Sequence, residues 1–299
     1  MNREIIGNIK YGLNSNVSTL KTVLLKDPKA AFKSQKTIDL HWQNLNFIEK
    51  PDYKKSIIQY GKFVDILNDN HVEVLFIPED EKTSLDSIYT HDPMFMTPNG
   101  AVIGNMGKKQ RKPETIMMKS YLDEMGIPIF GEIDNGGTLE GGDAIWINDK
   151  TVAVGLTYRT NNEGINQLRK ILSTISVELI CVDLPHWNGP VDVLHLMSLI
   201  SPLKEDLFLI YEKLLPVGFL KFLNKIAIKT ISIADEDYDT LGCNVLPLST
   251  TKCLITNGND RTTKIIEDNG IEVIEFQASE ICYKGSGGPT CLTRPLYRD

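Results

Sequence analysis

The sequence predicts an α/β fold: a closed five-bladed α/β propeller of pseudo-repeated ββαβ units. Three observations predict it. Four short apolar runs are each folded back on themselves by a polar turn, a stretch of helical spacing follows each, and a β-rich run follows each helix. The period is roughly fifty residues, in the range where internal repeats signal propellers and arrays.

The elements follow in chain order. The hairpins read Met94 to Gly104, Ala144 to Gly155, Leu199 to Ile210 and Val245 to Ile255. The helices after them read Pro113 to Met125, Asn161 to Ser173, Phe219 to Lys225 and Asp260 to Asn269. The strands that close the units read Ile127 to Phe130, Val177 to Val182, Thr230 to Ile233 and Ile271 to Phe276. A fifth, less regular copy opens the chain. It has a strand at Thr19 to Leu25, an amphipathic helix from Tyr53 to Asn68 with Ile57, Ile58, Phe63, Val64 and Leu67 at its apolar positions, and a strand at Val72 to Ile77. An open α/β sheet is the simpler alternative, but its crossovers join single strands rather than hairpins. No linker divides the chain, so residues 1–299 read as a single domain.

Composition narrows the function. A hydrophobic share of 41% and a charged share of 24% suit a globular chain with a large core. The net charge of −7 argues against nucleic acid, which rewards clustered Lys and Arg, and permits a cationic ligand. The most apolar segment, Val191 to Leu215, is broken by Asp192, His195, Lys204, Glu205 and Asp206, so no membrane span is expected. The N-terminus shows no apolar run after its charges, and the protein reads as cytoplasmic. The five cysteines contain no C-x-x-C pair, which disfavours both a cysteine zinc site and a disulfide framework.

The chemistry-bearing residues fall where the repeats begin or end, and in a propeller those ends meet near the axis. Thr138-Leu139-Glu140-Gly141-Gly142-Asp143 brackets two glycines with two carboxylates just before a strand, although a polar turn explains it as well. His195 stands inside the apolar run Val193 to Met197, as a desolvated general acid and base would, or as a satisfied core histidine would. Gly285 to Pro295 is glycine-rich and carries Cys291; a thiol there needs a positive neighbour to act as a nucleophile.

Taken jointly, Leu139 to Asp143, Leu194-His195-Leu196 and Thr290-Cys291-Leu292-Thr293 resemble the guanidino-group modifying enzymes. This superfamily comprises arginine deiminase, dimethylarginine dimethylaminohydrolase and the arginine amidinotransferases. The likeness runs from about Leu20 to Arg294, and the superfamily's pentein fold agrees with the repeat. It implies Cys291 as nucleophile, His195 as general acid and base, and Glu140 as the carboxylate that orients His195. It also implies substrate contacts from Asp92, in Thr90-His91-Asp92-Pro93, and from Asp143. Arg159, in Gly155 to Asn161, would hold the substrate carboxylate, and Arg111 resembles a loop arginine that assists it. No cofactor or metal is implied. The substrate is a small guanidino compound, and an apolar propeller edge would support a homodimer.

Two departures bear on specificity. His91 replaces a charged residue before Asp92, and Met197 stands two residues after His195, where deiminases and amidinotransferases usually carry Asp. Losing that carboxylate removes acceptors for N–H groups, and an unpartnered buried polar group costs about 1–3 kcal/mol. The resemblance is therefore to the dimethylargininase branch, converting dimethylarginine to citrulline and dimethylamine. Arginine deiminase or dihydrolase and amidinotransferase remain the alternatives. A catalytically silent propeller would lack the combination of Cys291, His195 and Glu140. A metal-dependent hydrolase fits poorly, because the five histidines form no H-x-H or H-x-x-x-H pair.

Overall fold

The hairpin, helix and strand pattern recurs in the computed structural model, which describes residues 9–299. Residues 1–8, on which the reading of the N-terminus largely rests, lie outside them. Blade I begins with β1 (Leu20–Leu25), continues through α1 (Pro28–Ala31), α2 (Gln35–His41) and α3 (Tyr53–Asp69), and reaches β2 (Glu73–Phe76). Blade II is β3 (Met94–Thr97), β4 (Gly100–Ile103), α4 (Lys112–Glu124) and β5 (Ile129–Glu132). Blade III is β6 (Ala144–Asn148), β7 (Thr151–Leu156), α5 (Asn162–Ser173) and β8 (Glu178–Asp183). Blade IV is β9 (Ile200–Lys204), β10 (Leu207–Ile210), α6 (Val217–Lys225) and β11 (Lys229–Ser232). Blade V is β12 (Leu246–Ser249), β13 (Lys252–Thr256), α7 (Asp260–Glu267) and β14 (Glu272–Phe276).

The remaining strand, β15 (Arg294–Arg298), completes blade I rather than blade V. It runs antiparallel to β1, with Val23 opposite Pro295 and Leu24 opposite Arg294, while β1 runs parallel to β2. The irregular first repeat of the sequence is thus a regular blade whose first strand comes from the far end of the chain. All five sheets are three-stranded, with an antiparallel pair and then a parallel pair closed by a helical crossover. This is the pentein five-bladed α/β propeller.

The strand sequences dictate which edge faces the axis. Pro202 in β9, Pro247 in β12 and Pro295 in β15 cannot donate to a ladder, which confines them to edge strands. Those strands are the inner edges of their blades, and Phe95, Trp146, Pro202, Leu246 and Pro295, one from each, line a small axial cavity. The outer strands β2, β5, β11 and β14 are largely half-exposed. The helices bury apolar stripes that also reach neighbouring blades: Phe63 of α3 packs against Phe276 of β14, and Phe63 and Leu67 of α3, Leu168 and Leu172 of α5, and Phe219 and Leu223 of α6 are all buried. Side chains of this size contribute about 1.5–3 kcal/mol each when fully buried. Polar caps set the helix starts, as where Asn161 accepts from the Gly164 N–H. No helix among the described residues is long and apolar enough to cross a membrane.

Candidate active site

One polar residue precedes the inner strand of every blade. Asp92 stands just before β3, Glu140 before β6, His195 before β9, Asn244 before β12 and Cys291 before β15. The pseudo-fivefold arrangement therefore brings five residues scattered over two hundred positions to one end of the axis. Their side chains meet there.

His195 Nε2 lies 2.9 Å from Glu140 Oε2, and His195 Nδ1 lies 3.8 Å from Asp92 Oδ1. Glu140 is fully buried, and Arg159 Nη1 donates to both of its oxygens at 3.2 and 3.3 Å. The Lys108 backbone N–H donates to Oε1. Asp92 accepts from the Gly142 N–H at 3.0 Å and forms an ion pair with Arg111. A Cβ on Gly142 would lie 2.5 Å from His195 Nδ1 and 2.8 Å from Asp92 Oδ1, so only glycine lets the backbone approach both groups. Cys291 is partly exposed, and Asn244 Nδ2 donates to its sulfur at 3.2 Å. The Thr290 N–H fixes Asn244 through Oδ1.

Two cavities meet at Cys291 and His195, one of about 340 Å³ and one of about 230 Å³. Arg159, Arg111, Lys108 and Asp92 line the larger. Met197 lines the smaller, so its side chain borders the same space as the cysteine.

The electrostatics follow from burial and pairing. Burial opposes the charge of His195, but Asp143, Asp92 and Glu140 outweigh it and push the imidazole up to about 9. Burial also works against charge on Asp92 and Glu140. Arg111 and His195 hold the first below the usual carboxylate range, and His195 and Arg159 hold the second there. Burial pushes the Cys291 thiol up to about 11, Asp92 adds to this, and the Asn244 hydrogen bond counters it. The site at neutral pH therefore pairs an imidazolium with a neutral thiol.

Two predicted contacts take a different form. Asp143 was expected among the substrate ligands, yet it lines neither cavity; it accepts from the Leu196 N–H at 3.0 Å and the Thr157 hydroxyl at 2.8 Å. It anchors the turn that carries His195. Arg111 lines the larger cavity, but Asp92, Glu114 and the Tyr89 carbonyl engage all but one of its five N–H donors. The reason is local: Arg111 stands at the start of α4, three residues before the buried Glu114, and an unpaired buried carboxylate is costly. Arg159 keeps Nε and Nη2 free of protein partners among the described residues. Asn244 escaped the sequence reading; its place before a first blade strand, matching that of Glu140 and His195, is the signal that could have found it. Asp92, Glu140 and His195 also lie within 4.8 Å of one another, close enough to share a cation. Arg111 and Arg159 already bring guanidinium groups to two of them.

The arginine deiminase family model matches residues 82–227 and 220–298, more than half of the chain. The chain belongs to the arginine deiminase family. A dimethylarginine dimethylaminohydrolase of Pseudomonas aeruginosa is 27% identical over 82% of this chain and 89% of its own length. A solved structure of that organism's dimethylarginine dimethylaminohydrolase, a mutant complexed with citrulline, is 25% identical with a TM-score of 0.74, covering 92% of this chain and 98% of its own. An amidinotransferase of Microseira wollei from the saxitoxin biosynthetic pathway shares the fold, with a TM-score of 0.79 at 14% identity over 96% and 97% of the two chains.

Proposed function

We propose that the protein hydrolyses an arginine derivative at its guanidinium carbon through a covalent thiouronium intermediate, with dimethylarginine giving citrulline and dimethylamine. The observation that carries this reading is the meeting of Cys291, His195, Glu140 and Asp92 at the junction of two cavities.

The cationic guanidinium enters beside the buried carboxylates, and its amino-acid end extends into the larger cavity toward the free N–H groups of Arg159. Its charge favours the thiolate, whose proton leaves to solvent, and Asn244 donates to the sulfur anion. The sulfur attacks the guanidinium carbon. His195, already protonated, gives its proton to the departing amine, and Glu140 holds the ring for that transfer. The neutral imidazole then takes a proton from the water that displaces the sulfur as a ureido product. Met197 in the smaller cavity supports an alkylated nitrogen there over an N–H-rich one.

The test is to incubate the protein separately with arginine and with asymmetric dimethylarginine, measuring citrulline, ornithine, ammonia and dimethylamine, with Cys291→Ser as control. Dimethylamine with citrulline, lost in the variant, is the expected result. Ammonia from arginine would replace it with a deiminase, or with a dihydrolase if ornithine appears. Activity abolished by a chelator and restored by one metal would overturn the cysteine mechanism.

A further inference from the structure

The smaller cavity extends past the reacting centre and is furnished for more than dimethylamine. A water takes roughly 30 Å³ in the liquid, so a three-heavy-atom amine needs on the order of 90 Å³. The cavity offers about 230 Å³, a space it shares with the reacting centre at Cys291 and His195. Beyond Met197 its walls are Leu241, Tyr238, Trp187 and Tyr283. Tyr238 stacks on Tyr211 at 4.2 Å, and Trp187 stands edge-on to it at 6.1 Å, so the aromatic wall is braced. Among the described residues no Lys or Arg lines this cavity, whereas Lys108, Arg111 and Arg159 line the larger one. Two carboxylates, Asp192 and Asp239, do line it. Asp192 accepts from Asn188 and the Val193 N–H, while Asp239 is exposed and has no protein partner among the described residues. Apolar and aromatic walls with a carboxylate at the far side from the His195 imidazolium suit a carbon chain ending in a positive charge.

We infer that this cavity receives the departing amine limb of the substrate, and that the limb is an aminoalkyl chain several atoms long whose terminal ammonium meets Asp239. The substrate class is an arginine alkylated by an aminoalkyl group on its terminal guanidino nitrogen. This rests on the hydrolytic reading above. Cys291 bonds to the guanidinium carbon, and the bond from that carbon to the alkylated nitrogen breaks with a proton from His195. A diamine departs, and water then releases citrulline and restores the thiol.

The full chain would be given three substrates: asymmetric dimethylarginine, and arginine carrying either a butyl or an aminobutyl group on the terminal nitrogen. Citrulline and the released amine are measured for each. The aminobutyl compound should exceed the butyl compound in kcat/KM by about fivefold, in line with one exposed charge pair. Asp239→Asn, at an exposed position, should erase that ratio. Cleavage of dimethylarginine but of neither long-chain compound would overturn this inference and leave the hydrolytic reading intact. Equal use of the butyl and aminobutyl compounds, or a preference that survives Asp239→Asn, would overturn the role of Asp239. Cleavage of none of the three would overturn the dimethylarginine reading on which this inference rests.

Discussion

Binding of a guanidinium cation should switch on the nucleophile. The thiol of Cys291 is pushed up to about 11, from an ordinary value of 9.0, by burial and by Asp92. At pH 7.5 the thiolate is then on the order of a few molecules in ten thousand. A unit positive charge about 4 Å from the sulfur, at an effective dielectric of about 20, favours the anion by about 4 kcal/mol. At about 1.4 kcal/mol per pH unit this lowers the thiol to about 8. The assay is a pH titration of thiolate absorbance, with Cys291→Ser subtracted to remove the other four cysteines, carried out with and without a saturating unreactive alkylguanidine. The expected midpoint falls by about three units when the ligand is present. A free-protein midpoint below about 8, or one that the ligand does not move, would refute the reasoning.

Other perturbations probe the surrounding groups. Glu140→Gln removes the carboxylate 2.9 Å from His195 and should lower kcat on the order of 10²–10⁴-fold with the fold retained by circular dichroism. Asn244→Ala leaves the sulfur anion without its donor and should cost about 10–100-fold in kcat/KM, as a hydrogen bond to a charged group would. His195 keeps its proton up to about 9 when folded against an ordinary 6.5, so its stabilising contribution is full below pH 6.5 and is lost as pH rises to 9. Melting temperatures should fall across that window, and His195→Gln should flatten the slope. Leu296→Ala, at a fully buried position of β15, should cost about 2–5 kcal/mol in denaturant unfolding.

Much of the ring was legible because its units bury their inner strands and expose their outer ones, so hairpin, helix and strand repeat in the residue pattern. The predicted helix Asn161 to Ser173 differs from α5 only by its N-cap. The predicted strand Ile127 to Phe130 is displaced to Ile129–Glu132, because Gly126 ends the helix and Pro128 can accept from Ala101 but has no N–H to donate to the ladder. β15 was missed because its partner, β1, lies more than 260 residues away, and no local pattern reports a pairing of that span. The short helices α1 and α2 were missed too, being brief and held by caps at Asp27 and Ser34 rather than by a long apolar stripe. In the site, the family resemblance of three short motifs pointed to Cys291, His195 and Glu140. They could not show that Asp143 turns to the backbone of Leu196, or that Arg111 is engaged by Glu114, since both depend on side-chain direction.

The strand that closes the ring also carries the cysteine. Cys291 sits three residues before Arg294, and its carbonyl accepts from the His91 N–H, so the sulfur reaches its partners only when β15 docks on β1. During synthesis the chain would display four blades and four of the five converging polar groups while lacking Cys291. Under the proposed mechanism, folding intermediates and nascent chains would be harmless to free guanidines, and ring closure would assemble the nucleophile with its partners.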